Sequence, residues 1–198
     1  ADILAARGQT EQALQIRKEQ VLPLYLAHGT PRDRATCLGA IAHDLQTLGA
    51  LGEALAIHRD RELPIYRQID DVRSVAITQG QIAHLLMQQG QLEEALRIHT
   101  QEELPVYRQL GDRQSALVAQ GQVAAILEAR GELEDAFELH SHRARVAEEI
   151  GDLDSLAHAL HGMAVLLIKW PQPRLEEARE LLERALDVAT QAERAAAV

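Results

Sequence analysis

The chain has 198 residues, 12 of them glycine and 6 proline, with 25% charged residues, so it is long enough to bury a core and is neither disordered nor fibrous. Its formal charge of −10, with no basic stripe, argues against phosphate backbones and anionic lipid as partners. Aromatic residues make up only 3%, while alanine and leucine abound, a mix that favours close-packed helices over a β-sandwich.

Cys37 is the sole cysteine, which excludes an intrachain disulfide and a cysteine-based zinc site. No apolar run approaches membrane-spanning length and the N-terminus lacks a signal-peptide pattern, so the expectation is a cytoplasmic protein without a membrane partner. The sequence starts without methionine and inside a repeat, which gives the expectation of a fragment of a larger protein.

In chain order, Gly8, Gly49, Gly90 and Gly131 recur every 41 residues, and Ala13, Ala54, Ala95 and Ala136 keep the same step. So do Pro23, Pro64 and Pro105, Tyr25, Tyr66 and Tyr107, and a second glycine series, Gly39, Gly80, Gly121 and Gly162. The spacing divides one repeat domain, 1–198, into a partial unit 1–29 and units at about 30–70, 71–111, 112–151 and 152–198.

Each unit reads as two helices. In Arg113 to Arg130, Leu117, Gln120, Val123, Ala124 and Leu127 recur at helical spacing. Asp112 stands where an N-cap is needed, as does Asp71 one unit earlier, and Gly131 supplies the turn at the C-terminal end. The second helix begins near Leu133, with Glu134 and Asp135 at its positive end.

The repeated proline interrupts that second helix. Leu92, Leu96, His99, Glu103, Tyr107 and Leu110 keep helical phase across Pro105, which predicts one long helix bent there. The alternative is a short helix followed by an extended turn. It draws support from Leu22, Leu63 and Leu104, since a residue before proline is pushed away from helical angles.

The pattern resembles the tetratricopeptide-repeat (TPR) family in its small residue on the first helix, its turn glycine and its small residue early in the second helix. Ala42, Gly49 and Ala54 match those places, as do Ala83, Gly90 and Ala95, and Ala124, Gly131 and Ala136. Ala164 and Ala178 match in the last unit, where Lys169 to Pro173 replaces the glycine, and Leu182 and Ala185 take the family's large and small positions. The usual unit has about 34 residues, and the family's late aromatic is replaced by His58, His99 and His140. Long units ending in Gly-Asp, as at Gly111-Asp112, are similar to those of kinesin light chains, Leu-Gly-Asn-repeat scaffold proteins and bacterial signalling arrays. The resemblance implies an all-α fold, a right-handed α-solenoid of about five stacked antiparallel helix pairs. It also implies a non-catalytic protein- or peptide-binding scaffold without cofactors, whose first helices line a concave groove.

On that implication the groove carries Gly39, His43 and Gln46, then Ile77, Gly80, Gln81, His84, Met87 and Gln88, then Gly121, Gln122, Ala125 and Glu128. Val118 belongs to the same face. The mixture, without a charge cluster, suits an extended or helical peptide more than a phosphate or a single carboxylate. One glycine per unit at a fixed helical place either opens the groove to a partner's backbone or lets helices pack closely. Two other functions fit: a peptide-sensing regulatory domain, or a structural spacer whose exposed Ile3 and Leu4 stack end to end on another copy.

His140, His142, His158 and His161 gather near one repeat junction but lack the spacing of a metalloprotease helix pair and an evident third ligand. His58, His99 and His140 fall on the repeat period and read as packing residues. No phosphate loop, nucleophile elbow or isolated carboxylate pair is present. Cys37, beside Leu38 and Ile41, reads as a buried apolar group rather than a nucleophile. Trp170 is either an exposed anchor for a partner or a cap on the irregular turn.

Overall fold

A computed structural model describes residues 1–196, and among them there are helices and no strands. The helices are α1 (Asp2–Ala6), α2 (Thr10–Ile16), α3 (Leu22–His28), α4 (Pro31–Thr47), α5 (Leu51–Ile57), α6 (Leu63–Gln68), α7 (Val72–Gln88), α8 (Leu92–Ile98), α9 (Leu104–Gln109), α10 (Arg113–Ala129), α11 (Leu133–Ile150), α12 (Leu153–Lys169) and α13 (Leu175–Ala196). The chain divides into two compact units, Ala1–Val106 and Tyr107–Val198.

The long first helices start where the sequence places their caps. Thr30 closes a capping box with Asp33 ahead of α4, and Asp71, Asp112 and Asp152 accept from the backbone N–H of Ser74, Ser115 and Ser155 ahead of α7, α10 and α12. The turns after α4, α7 and α10 need a positive φ, and Gly49, Gly90 and Gly131 adopt +77° to +80° there.

The prolines do not end the second helices. Three single π turns, Arg17–Val21, His58–Glu62 and His99–Glu103, lie directly before Leu22, Leu63 and Leu104. In each, the backbone N–H of the leucine reaches the carbonyl five residues back, Arg17, His58 or His99. The leucines keep helical angles, with φ/ψ of −63°/−44°, −54°/−42° and −58°/−39°. The helix is therefore continuous, and the extended-turn alternative is overturned. A π turn takes up a residue that a regular helix has no room for, so the proline follows a local widening and does not force its ring into an ordinary helical turn.

The helix without such a proline shows the same rule in reverse. α11 runs unbroken from Leu133 to Ile150 with no π turn. From His58 to Asp70 and from His99 to Gly111 there are 12 residues, but from His140 to Gly151 only 11, the endpoints being the positive-φ residues that close each unit. First helices accordingly begin at Pro31, Val72, Arg113 and Leu153, steps of 41, 41 and 40.

Within the first unit, α4 buries Cys37, Leu38, Ile41, Ala42 and Leu45 in a cluster with Leu22, Ala54 and Leu85. Burial of Ile41 alone is worth about 1.5–3 kcal/mol. Burial also pushes the Cys37 thiol up, which fits an apolar packing role. Within the second unit, Leu117, Ala147, Leu156, Leu160, Ala185 and Val188 form one cluster. Ala164, Leu167 and Ala178 form another, closed by Phe137 and Trp170. The two rings meet edge to face with centroids 5.9 Å apart, so Trp170 caps the irregular turn.

Candidate functional site

The first-helix residues assigned to a groove are all exposed or half-buried, while Ile82, Ala83 and Leu86 on the other side of α7 are buried. In the first unit some of them touch: Gln46 Nε2 donates to Gln88 Oε1 (3.2 Å), and Gln88 Nε2 lies 3.2 Å from His84 Nε2. Ile77 stands clear of this chain at 45% exposure. In the second unit Lys169 Nζ and Glu128 Oε1 make the corresponding rung, 2.5 Å apart.

Beneath this face lies a feature that sequence reading missed. Glu62 and Glu103 are buried in the first unit, each held by the histidine four residues earlier. His99 Nδ1 donates to Glu103 Oε2 at 2.5 Å, and His58 bonds Glu62 in the same way. The π turn sets both partners at its two ends, on one face of the helix. The carboxylates lie under the glycines. A methyl group on Gly39 would stand 2.6 Å from Glu62 Oε1, and one on Gly80 would overlap Glu103 Oε1. The second glycine series thus seats a buried side chain from the second helix, which neither sequence reading anticipated. His58 and His99 are buried as expected, but as polar partners and not as stand-ins for an aromatic ring.

In the second unit the seats hold a guanidinium and an imidazole. With one residue fewer before Gly151, Arg143 comes under Gly121, where a methyl group would lie 2.8 Å from its Nη2. His140 comes under Gly162, where a methyl group would lie 2.5 Å from Cε1. Arg143 is 5% exposed; its Nε donates to the Leu117 carbonyl (3.0 Å) and its Nη1 to His140 Nδ1 (2.9 Å). Burial lowers the pKa of this guanidinium. Burial, and then the adjacent Arg143 charge, bring His140 down to about 4, so the ring is neutral with its proton on Nε2.

These side chains bound a cavity of about 530 Å³ between α10 and α12, with α11 beneath. Gly121, Gln122, Ala125 and Glu128 line it from α10, together with Val118. His158 and His161, read from the sequence as part of a histidine cluster, stand exposed on its α12 side. Among the described residues no group of three or more histidine, cysteine or acidic side chains is placed to hold a metal ion. Nor is any helix there long and apolar enough to cross a membrane.

No family model and no curated protein sequence matches the chain. Solved structures do. A kinesin-light-chain-like protein of Podosopora anserina with nearly identical TPR-like repeats superposes with a TM-score of 0.75 at 19% identity, over 98% of this chain and 93% of that one. BtubC from P. vanneervenii gives 0.71 at 15% identity, over 98% and 75%. MamA gives 0.61 at 13%, over 98% and 96%. The fold is therefore all-α and is that of the TPR-like α-solenoids.

Proposed function

We propose that the chain is a non-catalytic protein- or peptide-binding module of a larger cytoplasmic signalling or scaffold protein, working through the groove lined by its first helices. The observation that supports this reading is the 530 Å³ cavity bounded by Gly121, Gln122, Ala125 and Glu128, on the first-helix face that the TPR resemblance implies for binding. Its lining mixes apolar residues such as Val118 and Val165 with hydrogen-bonding ones such as Gln122, Ser155 and His161, which suits recognition by shape and hydrogen bonding. The whole of 1–198 acts as one repeat domain in this reading.

Capture from a lysate of the source cell tests it, with Ile77→Glu and Val118→Glu as controls. Both positions are exposed, at 45% and 58%, so charge can be added without filling a packed site. A protein retained by the wild type and lost from the double variant supports the groove; equal retention moves binding to another surface. Glycine positions serve poorly here, because side chains at Gly80 or Gly121 would displace Glu103 or Arg143.

A second reading, stacking of copies, draws on exposed Ile3, Leu24 and Leu26 in the first unit and exposed Leu175, Leu182 and Leu186 on α13. Sedimentation over a hundredfold range of concentration (roughly micromolar to 100 µM) checks it. A constant monomer mass excludes it.

A further inference from the structure

Consecutive helix pairs of the second unit are covered differently. The slot between α10 and α11 is filled by α12, whose Leu153, Leu156, Ala157 and Leu160 pack with Leu117, Ala144 and Ala147. Leu175 follows Leu133, and buried Ala178 follows buried Ala136, by the same 42 residues, so α13 repeats α11 position by position. His140, Ala144 and Ala147 therefore correspond to Leu182, Leu186 and Ala189. The first three lie under α12, with His140 and Ala147 buried. Of the second three, Leu182 is 38% and Leu186 68% exposed. Together with Ala157 and His161 of α12 they line an open slot of about 460 Å³. A helix pair whose outer face stays in water carries polar groups there. Here an imidazole and a methyl group give way to two leucine side chains, the opposite of that rule.

α13 also has the form of the helix that such a slot takes. The filling stripe of α12, Leu153, Ala157 and Leu160, runs at i, i+4 and i+7, and the open stripe Leu182, Leu186 and Ala189 has the same spacing. One helix is thus both wall and filler, which is the condition for a twofold pair of identical surfaces. Charge fixes the direction of the pair. Arg179 and Glu193 stand seven residues to either side of Leu186. Laid antiparallel about Leu186, two copies of α13 set Leu182 of each against Ala189 of the other, and Arg179 of each against Glu193 of the other. A parallel pair would oppose Arg179 to Arg179 and Glu193 to Glu193. Arg179 can make the exchange at little cost, because its bridge to Glu176 (3.0 Å) lies on open surface.

We propose that the chain forms a twofold dimer through α13, with Leu186 on the axis and α13 of each copy closing the open slot of the other. The proposal rests on the reading in which copies associate and gives that association a closed form; it does not depend on the groove.

Sedimentation of the intact chain from about 1 µM to about 100 µM is the first arm of the test. The mass rises to twice that of the monomer and stops there, with a dissociation constant on the order of 10 µM. Leu186→Glu, at an exposed position, keeps full helicity and stays monomeric. Arg179→Glu and Glu193→Arg each weaken the dimer at least about tenfold, and the two together restore it. Leu186→Cys sets two thiols on the axis, so mild oxidation gives a disulfide-linked dimer. The wild type, whose single thiol at Cys37 is buried, does not form one. Growth beyond two copies without the disulfide product overturns this dimer and leaves end-to-end stacking. A constant monomer mass overturns both and leaves the slot to a helix of another protein. A dimer that survives Leu186→Glu, or charge reversals that fail to compensate, overturns the pairing as well.

Discussion

Two regions built to one plan differ at their most buried polar position. In the first unit the glycines Gly39 and Gly80 cover carboxylates, each satisfied by a histidine on the same π turn. In the second unit Gly121 and Gly162 cover a guanidinium and a neutral imidazole. Before Pro64 and Pro105 the widened helix carries a histidine and a glutamate at the two ends of its π turn, whereas the same turn before Pro23 carries Arg17 and Val21 there. Where the extra residue and the proline are absent, α11 stays regular and Arg143 takes the seat. A recurring architectural slot can thus carry either sign of charge beneath the same helical face, and the side chain that fills it sets the charge.

The widest separation between the two regions comes from proline. Arg145→Pro puts a proline into regular, exposed helix at the position 40 residues after Pro105 and costs about 3 kcal/mol or more. The converse change, Pro105→Ala, alters stability by less than about 1 kcal/mol, because the π turn already accommodates the ring. Chemical denaturation of the pair measures both, and a gain near 3 kcal/mol from Pro105→Ala would contradict the account.

Acid sharpens the contrast next. His140 is held neutral in the folded state by burial first and then by the Arg143 charge, with Glu128 and His161 also acting on it. Its folded pKa of about 4 lies below its ordinary value of 6.5, so the unfolded chain binds the extra proton first. The stabilisation is fully present above pH 6.5 and is lost as pH falls toward 4, amounting to on the order of 2–3 kcal/mol. Carboxylates titrate in part of this window, so His140→Gln is the reference: the pH slope between 6.5 and 4 is shallower in the variant.

Gly80→Val destabilises by about 1–3 kcal/mol, since a side chain there displaces the Glu103 carboxylate from its seat. A smaller loss of about 1 kcal/mol follows Asp71→Ala, which removes the cap of α7. Gly52→Ala works the other way. Its added methyl group meets nothing within 4 Å, and the chain gains about 0.5–1 kcal/mol in thermal or denaturant unfolding.

Much of the architecture is legible in the sequence, for a physical reason. Repeats state the same local rule several times, so Asp71 and Asp112 as caps, Gly131 as a turn and the buried Ile82–Ala83–Leu86 side of α7 follow from spacing and polarity alone. The exposed face is legible too, because it is the complement of that side. The seats are not. Glu103 and Arg143 read as ordinary charged residues on a helix, and only pairing each with the glycine 23 or 22 residues earlier marks them. The step that shortens from 41 to 40 where the proline disappears was a visible sign of the π turns. Periodicity across Pro105 suggests continuity without saying how the helix absorbs a residue.

The most direct test of the two-seat account is a pH titration of the His140 ring nitrogens by ¹⁵N NMR in the folded chain. The account predicts a neutral ring with its proton on Nε2 that resists protonation until pH is about 4. A ring that protonates near its ordinary 6.5, or one that carries the proton on Nδ1, would mean that Arg143 does not hold its charge alone under Gly121 and would contradict the account.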